Sequence, residues 1–360
     1  MRVLIAPDKF AGTLTAVEAA EAIATGWRRH APDDELDLAP MADGGPGFVD
    51  VLHVALGGEL SAVTVSGPHG DLVPAVVLRV GATAYVESAQ AAGLHLVDGD
   101  PETASSRGVG ELVLAAVDGG ATTVVVGLGG TGTNDGGAGV LVAFGATSDA
   151  DLDRGPAALA TVSHVDLSAA RDRLVGVTLV AASDVDSPLT GLFGATKTFG
   201  QQLGIGEDRI AEVDGWLEAF ATATDRRTSL DKGAGAAGGI GFALMVLGAT
   251  REPGIELVAA AVSLDARAGQ ADLVITGEGA FDFSSRSGKV PYGVAGVANE
   301  ALRPCIALAG QVLVGSREMR ALGIESAYSL VDLVGEERAF AEPTVALSEL
   351  AERVARSWSR

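Results

Sequence analysis

The chain of 360 residues has a single cysteine, Cys305, which excludes an internal disulfide framework and suits a reducing compartment. Positive charge is scarce: 25 Lys+Arg face 47 Asp+Glu, a formal net charge of -22. That balance argues against nucleic acid or an anionic membrane as the main partner, because phosphate-rich polymers need a basic surface. Lysine is the scarcer cation, four residues against 21 arginines. Long hydrophobic runs are also missing. The stretch 233–250 carries no charge, but Gly233, Gly235, Gly238, Gly239 and Gly241 fall in its first half, so it reads as a glycine-rich loop entering a buried helix. Val3 to Ala6 is too short for a signal peptide, and Asp8 and Lys9 follow at once. The expectation is a soluble cytoplasmic protein with a small-molecule partner; a homodimer is compatible with these features.

Glycine, by contrast, is abundant. There are 49, roughly twice the usual ~7%. They cluster instead of recurring every third residue, which excludes a collagen-like chain. Hydrophobic residues make up 48%, enough for a large core and against global disorder. At about 150 residues per domain, the length suggests two or three domains.

The pattern opens with a buried strand at 3–6, a loop through Asp8 and Lys9, and a helix over 16–30 whose start is marked by Thr15 and Glu18, a capping-box pair. A strand at 36–38, the loop from Met41 to Gly47 and a helix over 49–55 complete a parallel α/β unit. Near residue 60 the pattern changes to short β runs at 63–65, 73–80 and 84–86, separated by turns alone, which reads as an antiparallel meander. A helix over 106–118, strands at 122–126 and 175–181 and a helix after Gly239 follow. Alternation returns with a strand at 273–275, a helix over 292–301, a strand at 305–308 and an amphipathic helix over 345–358. The expected architecture is α/β in two domains. Residues 1–60 with 270–360 form a Rossmann-like parallel α/β domain, and 61–269 an inserted mixed α/β domain.

Six loops combine glycines with an acidic residue or lysine after an apolar strand or before a helix. They are Pro7-Asp8-Lys9-Phe10, Asp43-Gly44-Gly45, the run Gly127 to Gly137, Asp184-Val185-Asp186, Asp231 to Gly235, and Gly277-Glu278-Gly279 through Asp282. In open parallel sheets ligands bind outside the carboxyl ends of the strands, where such loops lie. Backbone amides at helix starts suit phosphate, and neighbouring carboxylates suit a phosphate-bound Mg²⁺. All four lysines, Lys9, Lys197, Lys232 and Lys289, lie in such glycine-containing segments. Either a coding bias towards arginine left them by accident, or a compact ammonium is required there, as in phosphate binding.

Other chemistries fit less well. Gly127-x-Gly129-x-x-Gly132 matches the dinucleotide fingerprint, but Gly136, Gly137 and Gly139 oppose the helix it requires, and no strand leads to an acidic residue about twenty positions on. Gly191 to Thr198 fails as a P-loop because Thr196 stands at the second glycine. The five histidines make no metal-ligand spacing, and Cys305 opens an apolar run as a buried thiol would.

Taken in order along the chain, these loops resemble the type I glycerate kinases, which phosphorylate glycerate with ATP. The matching stretches are Ala6 to Phe10, Pro40 to Gly45, Gly127 to Gly137, Asp184 to Leu189, Gly233 to Gly239 and Leu273 to Gly279. The resemblance implies two α/β domains with a cleft between them, ATP and Mg²⁺ as cofactors, and 2-phosphoglycerate as product. It implies Asp8, Lys9, Asp43 and Lys289 as catalytic residues, with Asp8 and Asp43 both open as the base. Gly44, Gly45, Gly129, Gly130, Thr131, Thr133, Asn134, Asp135, Gly235, Gly238, Gly277 and Asp282 would bind substrate or nucleotide. Asp184, Asp186 and Glu278 would hold the metal.

Four positions depart from the family pattern: Ala11, Leu203 and Ala280 stand where cations are usual, and Pro46 where a glutamate is. A charge-assisted hydrogen bond is worth roughly 1.5–3 kcal/mol, so losing two in the transition state would cost on the order of 10²–10⁴ in rate. Arg286 and Lys197 are the cations available to compensate. The departures keep two other readings open: a diverged binding or regulatory protein without the glycerate reaction, and a kinase for another hydroxy acid.

Overall fold

The computed structural model describes residues 1–10, 12–282 and 289–359. Ala11 and Arg286 therefore lie outside the described residues. The chain divides into two compact units, each with its own sheet.

The first unit comprises Met1–Asp43, Asp50–Leu56 and Gly254–Arg360. Its sheet has five parallel strands in the order Ser326–Ser329, Cys305–Val312, Leu273–Phe281, Arg2–Ile5 and Glu35–Leu38. The near-continuous apolar runs of its central strands suit a sheet covered on both faces. Helix Ala16–His30 starts where its capping box sits: the Thr15 side chain accepts the Glu18 N–H at 3.2 Å, and Glu18 Oε2 accepts the Thr15 N–H at 2.9 Å. Ile23 and Trp27 on its buried face join Leu347, Leu350 and Val354 of helix Pro343–Trp358 in one core. Cys305 is buried in its strand, and burial pushes its thiol up to about 12, as an inert structural thiol requires.

Several boundaries differ from the sequence expectation: Gly44–Val49, expected within the first domain at 1–60, belongs to the second unit. The return to the first unit comes at Gly254, before residue 270, because Gly254–Ala261 and Leu264–Gln270 are helices that belong to it. Strand Leu273–Phe281 also runs well past the expected 275. Its pairing with Cys305–Val312 continues through Ala280 opposite Gln311 and Phe281 opposite Val312, so ladder bonds override the poor strand propensity of two glycines.

The second unit comprises Gly44–Val49 and Gly57–Pro253. Its six strands run Thr250–Glu252, Thr178–Ala182, Thr123–Gly127, Thr83–Glu87, Leu72–Val80 and Glu59–Ser66. The first four are parallel, and the last two extend them as an antiparallel arm, the meander read from the turns. Helix Ile240–Val246 is buried, as its uncharged run predicts. Helix Ile210–Thr224 is an addition to the sequence reading. Among the described residues, no helix is long and apolar enough to cross a membrane.

Candidate active site

In the first unit, the loops after neighbouring parallel strands gather the catalytic candidates. Strand Arg2–Ile5 ends beside Leu273–Phe281: Ala6 N–H donates to Ile275 O at 2.7 Å and Asp8 N–H to Gly277 O at 2.8 Å. The loop after Glu35–Leu38 joins them through Met41 N–H, which donates to Pro7 O at 2.9 Å. Asp8 is thereby buried, only 6% exposed. Its Oδ1 accepts the Lys9 backbone N–H at 2.7 Å and lies 3.9 Å from Lys9 Nζ. Burial pushes the Asp8 carboxyl up to about 7; Asp43 adds to the rise, while Lys9 and Lys289 oppose it. Glu278 is also buried, with Lys289 Nζ 4.0 Å from its Oε2. Lys289 is the N-cap residue of helix Val290–Glu300, and Asp282 directly follows the strand. A carboxylate titrating near neutrality with ammonium groups beside it can take a proton from an alcohol and offset phosphoryl charge.

The second unit holds the glycine loops. Gly129 follows strand Thr123–Gly127, and its N–H donates to Gly44 O at 2.9 Å. A Cβ on Gly129 would stand 2.4 Å from Gly45 Cα, so only glycine permits this approach. Gly130 is exposed and Thr131 half-buried; among the described residues, neither N–H has a protein acceptor. Thr131 Oγ1 lies 3.1 Å from Ser88 Oγ. These amides suit an anion.

Several other candidates are occupied by the fold itself. Asp135 is fully buried and accepts Ser106 N–H and Oγ–H at 2.8 Å each, Gly137 N–H at 2.9 Å and Gly139 N–H at 3.1 Å. It organises the loop from inside and faces no solvent. Gly235 N–H donates to Ser187 O at 2.9 Å, so it is not an anion donor. Gly238, at φ +62°, is buried so tightly that a Cβ would meet Thr133 O at 1.8 Å. Thr133 and Asn134 are buried as well. Asn134 Nδ2 donates to Thr196 Oγ1 at 2.9 Å, while Asn134 Oδ1 and Thr133 Oγ1 have no hydrogen-bond partner among the described residues.

All four lysines face carboxylates. Besides Lys9 and Lys289, Lys197 Nζ pairs with Asp214 at 2.7 Å and Lys232 Nζ with Asp186 at 3.1 Å. Lys197, expected to compensate for a missing cation, is thus already paired. Asp186 is also held by Arg251 at 2.8 Å, and the Lys232 hydrogen bond helps keep its carboxyl below the usual range. Among the described residues, no three His, Cys, Asp or Glu side chains form a metal-holding group; of the expected metal ligands, Asp184 and Asp186 belong to the second unit and Glu278 to the first. At the departing positions, Leu203 is buried and Ala280 is exposed at its strand end. Pro46 packs on Gly130, its Cδ 2.6 Å from where a Cβ there would stand.

Glu87 is the residue that sequence reasoning missed. It ends strand Thr83–Glu87, is 5% exposed, and accepts Gly47 N–H at 3.0 Å, which ties down the Gly44–Val49 segment. An acidic residue closing an apolar β run was the available signal.

The glycerate kinase family matches residues 3–359 of this chain. The chain is 40% identical to glycerate 2-kinase of Escherichia coli K12, across 93% of this chain and 92% of that one. It is 41% identical to glycerate kinase of Bacillus subtilis 168, across 92% and 90%. A solved structure of a provisionally assigned glycerate kinase 2 from Salmonella typhimurium LT2 superposes with a TM-score of 0.81 at 36% identity, covering 99% of this chain and 98% of that one.

Proposed function

The chain belongs to the glycerate kinase family, and from that premise we propose that it transfers the γ-phosphoryl group of ATP to a hydroxyl of glycerate, giving 2-phosphoglycerate and ADP. The observation that carries this reading is Asp8, a buried carboxyl raised to about 7 at a strand end, with Lys9 and Lys289 acting on it. Asp8 takes the proton of the attacking hydroxyl, and Asp43 keeps Asp8 basic by opposing its ionisation. Lys9 and Lys289 offset the carboxylate of the acceptor and the charge on the transferring group. The amides of Gly130 and Thr131 hold phosphate oxygens of the nucleotide. A Mg²⁺ carried by the nucleotide needs only one or two protein carboxylates, for which Asp184, Asp186 and Glu278 are the candidates; it would offset phosphate charge, and no step is routed through it.

The test is to mix the protein with ATP, Mg²⁺ and D-glycerate and follow phosphorus NMR with coupled detection of ADP. A phosphoglycerate resonance growing with ADP is the expected result. Nucleotide binding without that resonance would favour the diverged binding protein, a reading that the comparisons do not support.

A further inference from the structure

Strand Glu59–Ser66 forms an open edge of the second unit's sheet, and we propose that this edge is a homodimer interface, pairing antiparallel with the same strand of a second copy about a two-fold axis at Ala62. The proposal goes beyond the kinase reading and is independent of it. Glu59–Ser66 comes last in the sheet order, and among the described residues no strand lies beyond it.

The neighbouring strand fixes which groups point outward. Glu59–Ser66 pairs with Leu72–Val80 without a bulge, from Glu59 opposite Arg79 to Ser66 opposite Leu72. In an antiparallel pair, residues that exchange hydrogen bonds alternate with residues whose N–H and C=O point away from the partner strand. Three observations place the even-numbered residues in the second class. Pro74, opposite Thr64, has no N–H to give. The N–H of Val76, opposite Ala62, donates instead to Gln90 Oε1 at 2.7 Å. The N–H of Ser66 turns to Glu111 Oε2, also at 2.7 Å. Leu60, Ala62 and Thr64 therefore direct both N–H and C=O outward, and among the described residues no backbone partner meets them. Glu111 closes off Ser66 and ends the open stretch.

Native sheets blunt such an edge with charge, proline, a bulge or a covering element. Residues 60–66 contain no charged side chain and no proline, and their pairing has no bulge. Leu60 is 45% exposed, and Ala62 and Thr64 are exposed as well. In a chain of net charge -22, an uncharged edge is where two copies can meet without repulsion. The carboxylates at its ends are each held by an arginine, Glu59 by Arg79 at 3.2 Å and Glu111 by Arg107 at 2.8 Å.

Symmetry selects the occupant. A second copy offers the same groups in complementary order, with nothing further to be supplied. A centre at Ala62 sets Ala62 against its own counterpart and Leu60 against the second copy's Thr64, so every open residue exchanges both of its bonds. Moving the centre to Ser61 leaves Thr64 opposite Gly58, outside the strand. Moving it to Val63 leaves Leu60 opposite Ser66, whose N–H is already bonded. The side chains that meet at the Ala62 centre are short or apolar, and none carries charge.

The experiment is sedimentation velocity of the wild type, Ala62→Pro and Ala62→Lys at concentrations up to about 0.1 mM. A wild-type dimer is expected. Ala62→Pro removes both bonds of the axial pair, while within one subunit that N–H has no acceptor, so the fold is kept. Ala62→Lys opposes two ammonium groups across the axis at a side chain that is exposed in the single subunit. Each variant should raise the dimer Kd by about 10² or more, the scale of two buried backbone bonds left unmade. A wild type that stays monomeric over that range, or variants that dimerise as the wild type does, would overturn the proposal. If both variants unfold, hydrogen exchange of the wild type decides. The Leu60, Ala62 and Thr64 amides are expected to be protected in concentrated protein and released on dilution, while those of Ser61 and Val63, which face Leu72–Val80, stay protected. Free exchange of the first three amides in the dimer would place the interface elsewhere and overturn the proposal equally.

Discussion

Asp8 Oδ1 accepts the backbone N–H of Lys9 at 2.7 Å and stands 3.9 Å from the ammonium of that same residue. One residue therefore supplies both a fixed dipole and a mobile charge to the carboxylate, and the two act in the same direction, favouring ionised Asp8. Replacing Lys9 by alanine removes the charge and keeps the dipole. Turnover is expected to fall by about 10² or more, the scale of one positioned charge in a transition state. The acidic limb of the kcat profile should also move to higher pH, because the lost ammonium was holding the Asp8 carboxyl down. Intact turnover in Lys9→Ala would remove Lys9 from the mechanism.

Asp8 and Asp43 are separable by the same profile. Asp43 raises the Asp8 carboxyl, so Asp43→Asn should shift the acidic limb below about 7 while leaving a limb visible. Asp8→Asn should abolish that limb and lower kcat by about 10²–10⁴, the usual contribution of a general base. The reverse pattern would make Asp43 the base.

Asp8 should also leave a mark on stability. Its folded value, about 7, lies above the ordinary 3.8, so the native state holds a proton that the unfolded chain releases between those values. Stability then falls as pH rises through that window, by an amount on the order of a few kcal/mol. Asp8→Asn, with no proton to lose, should show a flatter dependence of urea midpoint on pH between 4 and 8, roughly the same window.

The parts of this arrangement that the sequence made legible are those written in local chemistry. Thr15 and Glu18 marked a helix start because a capping box needs only residues three apart, and the turns between the β runs at 63–65, 73–80 and 84–86 marked a meander because turn residues act locally. The Asp8 and Asp43 loops were readable because each follows an apolar strand of a parallel sheet; Glu278, read as a loop residue, lies inside strand Leu273–Phe281. What stayed hidden depends on partners far along the chain. The strand runs on to Phe281 because Cys305–Val312 pairs with it. The Gly235 amide looks like an anion donor until Ser187 O is seen to occupy it. Asp135 sits in a glycine run as a ligand would, yet its donors at Ser106 lie 29 residues away.

That internal role for Asp135 has its own consequence. A carboxylate accepting from three N–H groups and a hydroxyl cannot be replaced by an amide, whose NH₂ would face donors. Asp135→Asn should therefore destabilise the second unit by about 2–4 kcal/mol, read as a lower urea midpoint by circular dichroism. Nucleotide affinity lost with the midpoint unchanged would instead make Asp135 a ligand.

Two glycines provide a paired test of whether close packing or anion binding explains the glycine excess. Gly238 sits at φ +62° with Thr133 O 1.8 Å from where a Cβ would be, and backbone cannot yield as a flexible side chain would. Gly238→Ala should cost on the order of 3 kcal/mol or more from combined strain and overpacking. Gly215 lies within helix Ile210–Thr224 with nothing within 4 Å of its would-be Cβ. Gly215→Ala should stabilise by about 0.5–1 kcal/mol, since helical propensity is then the only term that changes. Urea titrations of both variants, with ATP affinity measured alongside, give the answer. If Gly238→Ala folds with unchanged midpoint and loses only ATP binding, its glycine serves the nucleotide and not the packing against Thr133.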